Sequence, residues 1–170
     1  MDNTFIERMV RAAKLDAELY EEVEADRSAT GQAAAVVVIS SVAAGIAMLP
    51  YGGPPRLVGA TIGALLGWLI WAGLTYLIGA KLLPEPQTRT DMGELLRTIG
   101  FSSSPGVIRL GGLIPGIGPL LVWAGQIWML AAMIVAVRQA LDYRSTWRAV
   151  GVCLIGWLIM IGITTLFLLG

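Results

Sequence analysis

The sequence contains no histidine and only one cysteine, Cys153. Histidine is the usual general base near neutral pH and the most common metal ligand, so its absence excludes most hydrolytic and zinc chemistry. Cys153 lies in an apolar run, where a buried thiol is unreactive, and a single cysteine cannot form a disulfide within the chain. We therefore expect no catalytic residue, no metal site and no cofactor. The sequence predicts a protein that is not an enzyme.

Charged side chains are scarce as well. They make up 14% of the 170 residues, whereas soluble domains carry about 25%. The 12 basic residues balance the 12 acidic residues, so no electropositive surface is available for nucleic acid. Because 56% of the residues are hydrophobic, the composition predicts an integral membrane protein whose main partner is the lipid bilayer.

The apolar runs predict an all-α polytopic bundle with five transmembrane helices. These cover about residues 32–48, 57–80, 92–113, 119–137 and 149–169. Residues 31–170 then form a single transmembrane bundle, and residues 1–30 form a cytoplasmic N-terminal segment. A tight loop is predicted at residues 50–55, where three prolines and two glycines occur.

The distribution of Lys and Arg predicts the orientation of these spans. In chain order, the first five segments outside them contain four, one, three, zero and three basic residues, where the third count includes Arg97 near the start of the third span. This alternation follows the positive-inside rule for a cytoplasmic N-terminus and an external C-terminus in the cell (inner or plasma) membrane. A four-span arrangement would instead place Arg138, Arg144 and Arg148 outside.

The third predicted span is unusual because it contains three serines, a proline and two arginines, Arg97 and Arg109. Proline removes a helix N–H, so we expect a kink or break near the serines, whose hydroxyls can bond the freed carbonyls. Arg109 is an ionisable residue inside the membrane, and such residues are candidates for a functional role. The alternative is that its side chain only extends toward the membrane interface to reach water. A surface helix followed by a re-entrant half-helix is the rival interpretation of the segment. The candidate broken-helix site comprises Ser102, Ser103, Ser104, Pro105 and Arg109.

Small residues recur on two predicted spans at helical spacing. Such faces allow a second helix to approach closely, which favours contacts with other membrane proteins or self-association. The two predicted helix-packing faces are Gly59, Gly63 and Gly67 on the second span, and Ala132, Ala136 and Ala140 on the fourth.

Residues 4–26 are predicted to form one amphipathic helix, basic in its first half and acidic in its second. The acidic half suits a basic protein partner better than an anionic membrane. A solvated helix that merely precedes the first span is an equally open interpretation. The predicted partner-facing residues are Asp16, Tyr20, Glu21, Glu22 and Glu24.

The order of these features resembles the bacterial branch of the Yip (Ypt-interacting-protein) family of small multi-pass membrane proteins. The resemblance is carried by residues 11–26, residues 93–105, the turn Ile114-Pro-Gly-Ile-Gly-Pro119, Ile127-Trp-Met-Leu and Arg138. It implies a multi-pass protein with a cytoplasmic N-terminus. Eukaryotic relatives bind Rab-type GTPases, and this chain departs from them in its shorter N-terminus and in the absence of their Asp-Leu-Tyr-Gly-Pro motif. Here Leu19-Tyr20 is followed by Glu21, so GTPase binding is not carried over.

These observations predict a non-enzymatic scaffold, adaptor or accessory subunit that binds other membrane proteins through its small-residue helix faces. The alternative is a small transporter or channel in which the broken third span lines a solute path.

Overall fold

A computed structural model describes the backbone of residues 4–169; the side chains of residues 48, 50–56, 163, 164 and 166–169 lie outside the described part. Every regular element within residues 4–169 is a helix, which confirms the all-α prediction. The α-helices are α1 (Phe5–Ala13), α2 (Ala17–Ala25), α3 (Ala29–Thr75), α4 (Met92–Phe101), α5 (Gly118–Ala140) and α6 (Thr146–Leu169). A π-helix, Tyr76–Leu82, continues α3, and a 3-10 helix, Ser104–Leu113, follows α4.

The N-terminal region is two helices, whereas the sequence predicted a single helix over residues 4–26. Leu15 has φ 62, a left-handed conformation that ends α1 and turns the chain. The side chain of Asp16 then accepts a hydrogen bond from the backbone N–H of Glu18 and caps α2. Amphipathic periodicity does not reveal such a turn, because the same residues keep nearly helical spacing on both sides of it.

Helix α3 folds back on itself. Gly45 and Leu57 are twelve positions apart, a separation of roughly 18 Å in a straight helix, yet a Cβ on Gly45 would lie 3.6 Å from the Cα of Leu57. The chain therefore reverses between a first arm (Ala29–Ala47) and a second arm (Leu57–Leu82, including the π-helix). The predicted loop at residues 50–55 falls in this reversal, where side chains lie outside the described residues.

Three of the described helical segments are long and apolar enough to cross a membrane. They are the first arm, the second arm and α5, close to the predicted spans 32–48, 57–80 and 119–137. The described part of α6 gives a shorter apolar helix, Thr146–Gly162. The chain is thus a helical membrane protein, and the count of five spans stays a prediction.

The predicted third span is not one continuous α-helix. We call residues 92–113, which comprise α4 and the 3-10 helix, the middle segment. Pro105 is the second residue of the 3-10 helix and has no N–H to donate. The hydroxyl of Ser104 donates instead to the carbonyl of Phe101 at 2.7 Å. The backbone thus leaves the α-helical form at Phe101 and continues with the tighter winding of a 3-10 helix.

Candidate functional site

Three glycines bring the middle segment into direct contact with the first arm of α3. A Cβ on Gly100 would lie 2.7 Å from the Cβ of Ala33 and 3.1 Å from its backbone. The close approaches pair Gly100 with Ala33, Gly106 with Ser40, and Gly112 with Ala47. The partners are six residues apart on the middle segment and seven apart on the first arm. The two spacings match because seven α-helical residues rise about 10.5 Å and six 3-10 residues rise about 12 Å. We call this contact the glycine seam.

Helix α5 returns along the other side of the middle segment. Gly118 approaches the backbone of Gly112 at one end, and a Cβ on Gly125 would lie 2.9 Å from the side chain of Arg109. Toward the other end, the hydroxyl of Ser102 lies 3.7 Å from the sulfur of Met133. The middle segment is therefore held between the first arm and α5 along its length.

This arrangement positions Arg109 inside the bundle. Its Nε donates to the carbonyl of Gly106 at 3.0 Å, and its Nη2 donates to the carbonyl and the hydroxyl of Ser40 at 2.8 and 2.6 Å. Its Nη1 lies 3.3 Å from the amide oxygen of Gln126. All of these acceptors are neutral.

Two serines of the predicted broken-helix site, Ser102 and Ser104, donate hydrogen bonds to backbone carbonyls of α4. Ser102 donates to the carbonyl of Ile99 at 2.7 Å, and Ser104 makes the bond to Phe101 described above. Ser102, Ser104 and Pro105 are buried, whereas Ser103 is half-buried and faces a cavity. None of the three serines is bonded to a group that could act as a base, so the arrangement offers no activated nucleophile.

The cavity, which we call the chamber, lies between the two arms of α3, the middle segment and α5. Its volume is about 480 Å³. Its polar lining comes from Ser40, Ser41, Ser103 and Arg109, and the rest is apolar and includes Trp68, Trp71, Met129 and Met133. The small residues Ala60, Ala64 and Gly67 of the second arm form the opposite wall. A hydrophobic chamber with one cationic group can accommodate an amphiphile better than a polar metabolite.

The two predicted small-residue faces have different surroundings. Ala132, Ala136 and Ala140 are fully buried and pack inside the described bundle. By contrast, a Cβ on any of Gly59, Gly63 or Gly67 would meet no described atom within 4 Å. In an apolar 18-residue stretch of each segment, 6% of the second arm is buried, against 39% of the first arm and 22% of α5. The glycine face of the second arm is therefore unoccupied, although one of its members, Gly67, borders the cavity.

Most of the predicted partner-facing N-terminal residues contact the chain itself. Asp16 and Glu22 bind Arg11 at 2.7 Å, and Glu22 also binds Arg8. Tyr20 is fully buried, and its hydroxyl donates to the carbonyl of Ala12, so it belongs to the core and not to a partner-facing surface. Glu21 is exposed and accepts a hydrogen bond from Gln139 at 2.7 Å.

Sequence reasoning missed Arg97, which joins the N-terminal helices to the bundle. Its side chain is 5% exposed, and its Nε donates to the carbonyls of Val23 and Glu24 at 2.9 and 3.1 Å. Its Nη2 also donates to the carbonyl of Glu24. These carbonyls belong to the last turn of α2, which has no intrahelical donor for them. In the sequence, Arg97 lies close to Asp91 and Glu94, and such neighbouring opposite charges are typical of an exposed helix face and give no signal of a contact with α2.

Glu24 makes the docking of α1 and α2 dependent on pH. Burial, followed by the charges of Glu21, Glu94 and Asp142, raises the pKa of Glu24 from 4.5 to about 8, while Arg97 opposes the shift. Because the folded pKa is raised, the stabilisation is complete below pH 4.5 and is lost as the pH rises through about 8. We expect hydrogen exchange in residues 5–25 to accelerate between pH 6 and pH 9 beyond the intrinsic rate increase, and Glu24→Gln to remove this excess. The exposed Glu18→Gln variant is the control, and an unchanged excess in Glu24→Gln would contradict the assignment.

Comparison with known families gives one match. Residues 17–167 match the family model described as Yip1 domain, which covers most of the chain and both α3 arms, the middle segment, α5 and most of α6. Neither the curated proteins nor the solved structures gave a significant match.

Proposed function

The chain belongs to the Yip family of membrane proteins, and from this premise we propose that it is a non-enzymatic scaffold, adaptor or accessory subunit. It binds another membrane protein, or a second copy of itself, through the glycine face of its second arm. The observation that carries this proposal is the open space around Gly59, Gly63 and Gly67, on a segment that contains an apolar 18-residue stretch of which 6% is buried. Membrane helices associate largely through such close backbone contacts, because lipid tails offer no hydrophobic driving force between helices.

The proposal distinguishes the two small-residue faces. The alanine face of α5 is buried by packing inside the chain, so it is not available to a partner. The glycine face is available, and large apolar side chains flank it at Val58, Ile62 and Leu66, all more than half exposed. A partner helix would lie in the groove above the glycines and contact these side chains at its edges.

The proposed topology has five crossings, with the N-terminus in the cytoplasm and the C-terminus outside the cell membrane. It is supported by the glycine seam, which pairs the middle segment with the first arm from Ala33 to Ala47. Since the first arm is long enough to span, a segment that runs beside it over this distance reaches the same depth. Labelling of a cysteine introduced at Ile117 from the cytoplasm alone would contradict this arrangement.

On the cytoplasmic side, the acidic N-terminal helices contribute less to partner binding than the glycine face. Asp16, Glu22 and Asp26 are paired with Arg8 and Arg11, which leaves the exposed side of α2 around Glu21 as the surface for a basic partner.

The test is to change Gly63 to leucine, which introduces a bulky side chain into the proposed contact without a clash inside the chain. We expect the fraction of protein that co-purifies with a partner or forms dimers to fall at least tenfold. Oligomeric state in liposomes is measured by single-molecule photobleaching, and partners by quantitative mass spectrometry after mild solubilisation.

Gly162→Leu is the matched control. Gly162 is exposed on α6, and a Cβ there also meets nothing within 4 Å. The two variants therefore add the same apolar volume to the lipid-facing surface. If Gly63→Leu keeps the oligomeric state and the partners of the unchanged protein, the glycine face is not the binding surface.

A further inference from the structure

The positive charge of Arg109 has no counter-charge in the membrane part of the chain. No Asp or Glu occurs in residues 29–82, in residues 95–141 or in residues 143–170. The four hydrogen bonds of Arg109 end on the carbonyl of Gly106, on Ser40 and on Gln126. These bonds satisfy its donors but leave its charge uncompensated.

A guanidinium in a low-dielectric interior is strongly favoured to have an anionic partner. Ionisable groups within membrane segments accordingly pair with one another or face a hydrated cavity. Arg109 also has an N–H group in reserve, because its four bonds use four of the five N–H donors of an arginine. Since the membrane segments supply no carboxylate, an anion that approaches Arg109 comes from outside the chain.

The cavity beside Arg109 indicates the chemistry of that anion. Ser103 and Arg109 are polar members of its lining, whereas Trp68, Met129 and Met133 are apolar. The hydroxyl of Ser41, which also lines the cavity, is donated to the carbonyl of Val38. A small hydrated anion would lose water against this wall without any compensating contact. An amphiphile with an anionic head and a hydrocarbon chain would match both parts of the lining.

The position of Arg109 agrees with a lipid headgroup. Its guanidinium donates to Ser40, which lies seven residues before the end of the first arm at Ala47, a separation of roughly 10.5 Å along the axis. In the five-crossing topology this depth falls within the outer leaflet, where an arginine side chain and a lipid phosphate can meet below the interface. Ala60, Ala64 and Gly67 of the second arm also line the chamber, and their small size leaves room for an acyl chain.

We propose that the chamber between the arms of α3 binds an anionic phospholipid, with the phosphate on Arg109 and Ser103 and an acyl chain along Ala60 and Ala64. The chamber shares Gly67 with the glycine face, whereas Gly59 and Gly63 do not line it.

The first test compares lipid retention by the full-length protein purified from equal mixtures of phosphatidylglycerol and phosphatidylcholine. Native mass spectrometry counts the lipids bound per protein. We expect phosphatidylglycerol to be retained at least tenfold over phosphatidylcholine, and Arg109→Gln to abolish this preference. Arg89→Gln removes the same charge from an exposed position outside the predicted spans and should leave the preference intact.

Ala64→Leu provides a second variant that keeps Arg109 and fills the chamber. It should lower phosphatidylglycerol retention about as much as Arg109→Gln, while the adjacent Gly63→Leu, which points away from the chamber, should not. If Arg109→Gln is not monodisperse, Ala64→Leu decides the matter in the same way. The Gly63 variant also separates the two proposals, since it should lose partners and keep lipid.

Three results would overturn the lipid site. One is equal retention of phosphatidylglycerol by the unchanged protein and by a folded Arg109→Gln or Ala64→Leu variant. Another is equal retention of the two lipids by the unchanged protein. The third is complete displacement of phosphatidylglycerol by millimolar inorganic phosphate, which would show that the anion is taken from water and not from the bilayer.

Discussion

Replacing Gly100 with leucine should destabilise the bundle by about 3 kcal/mol or more, since overpacking a close backbone contact costs roughly 1–3 kcal/mol and sometimes more. The reason is the glycine seam. A Cβ on Gly100 would lie 3.1 Å from two backbone atoms of Ala33, and a backbone cannot rotate away as a flexible side chain can. Accommodating leucine requires the middle segment to separate from the first arm of α3.

Unfolding in mixed micelles of increasing denaturant strength, followed by tryptophan fluorescence, measures the loss of stability. Gly162→Leu is the matched control, because a Cβ there meets no described atom within 4 Å. We expect Gly162→Leu to unfold within about 0.5 kcal/mol of the unchanged protein, as is usual for substitutions away from packed contacts. Equal stability of the Gly100 and Gly162 variants would show that the seam does not hold the bundle together.

Replacing Arg97 with methionine should release α1 and α2 from the bundle. Methionine retains the apolar part of the side chain but removes the donors to the carbonyls of Val23 and Glu24. Each buried acceptor left without a partner costs about 1–3 kcal/mol, so we expect a loss of roughly 3 kcal/mol in the free energy of docking. The substitution also removes the cation that opposes the raised pKa of Glu24.

Hydrogen exchange in residues 5–25 measures this docking directly. We expect exchange to accelerate by two orders of magnitude in Arg97→Met, while α5 keeps its protection. The exposed Arg89→Met variant, with the same loss of charge on the same side of the bundle, should exchange like the unchanged protein. Protection of residues 5–25 that is the same in both variants would mean that apolar packing alone holds these helices.

The sequence predicted the elements that depend on composition and local chemistry. The apolar runs at 32–48, 57–80 and 119–137 appear as the two arms of α3 and as α5, with limits shifted by no more than three residues. A membrane helix satisfies its own backbone, so an uninterrupted apolar run predicts it with little help from its neighbours. The hydroxyl of Ser104 likewise meets the carbonyl that Pro105 leaves free, because both partners are close in the chain.

Tertiary contacts alone decided which small residues face inward. The sequence drew attention to Gly59, Gly63 and Gly67, which repeat every four residues, yet a Cβ on any of them would meet no described atom within 4 Å. Gly100, Gly106 and Gly112 repeat every six residues and make the seam, because part of their segment is wound as a 3-10 helix. No pattern based on α-helical spacing would select them.

The sequence by itself thus determined that the protein is helical and embedded in a bilayer. The bilayer location follows from the composition, and the helices follow from the need of a membrane-spanning backbone for internal hydrogen bonds. The tertiary structure decided the turn at Leu15, the docking role of Arg97 and the enclosure of Arg109. The physical reason is that a membrane helix is apolar on the faces that meet lipid and on those that meet protein. The contrast that reveals the buried face of a soluble helix is therefore missing.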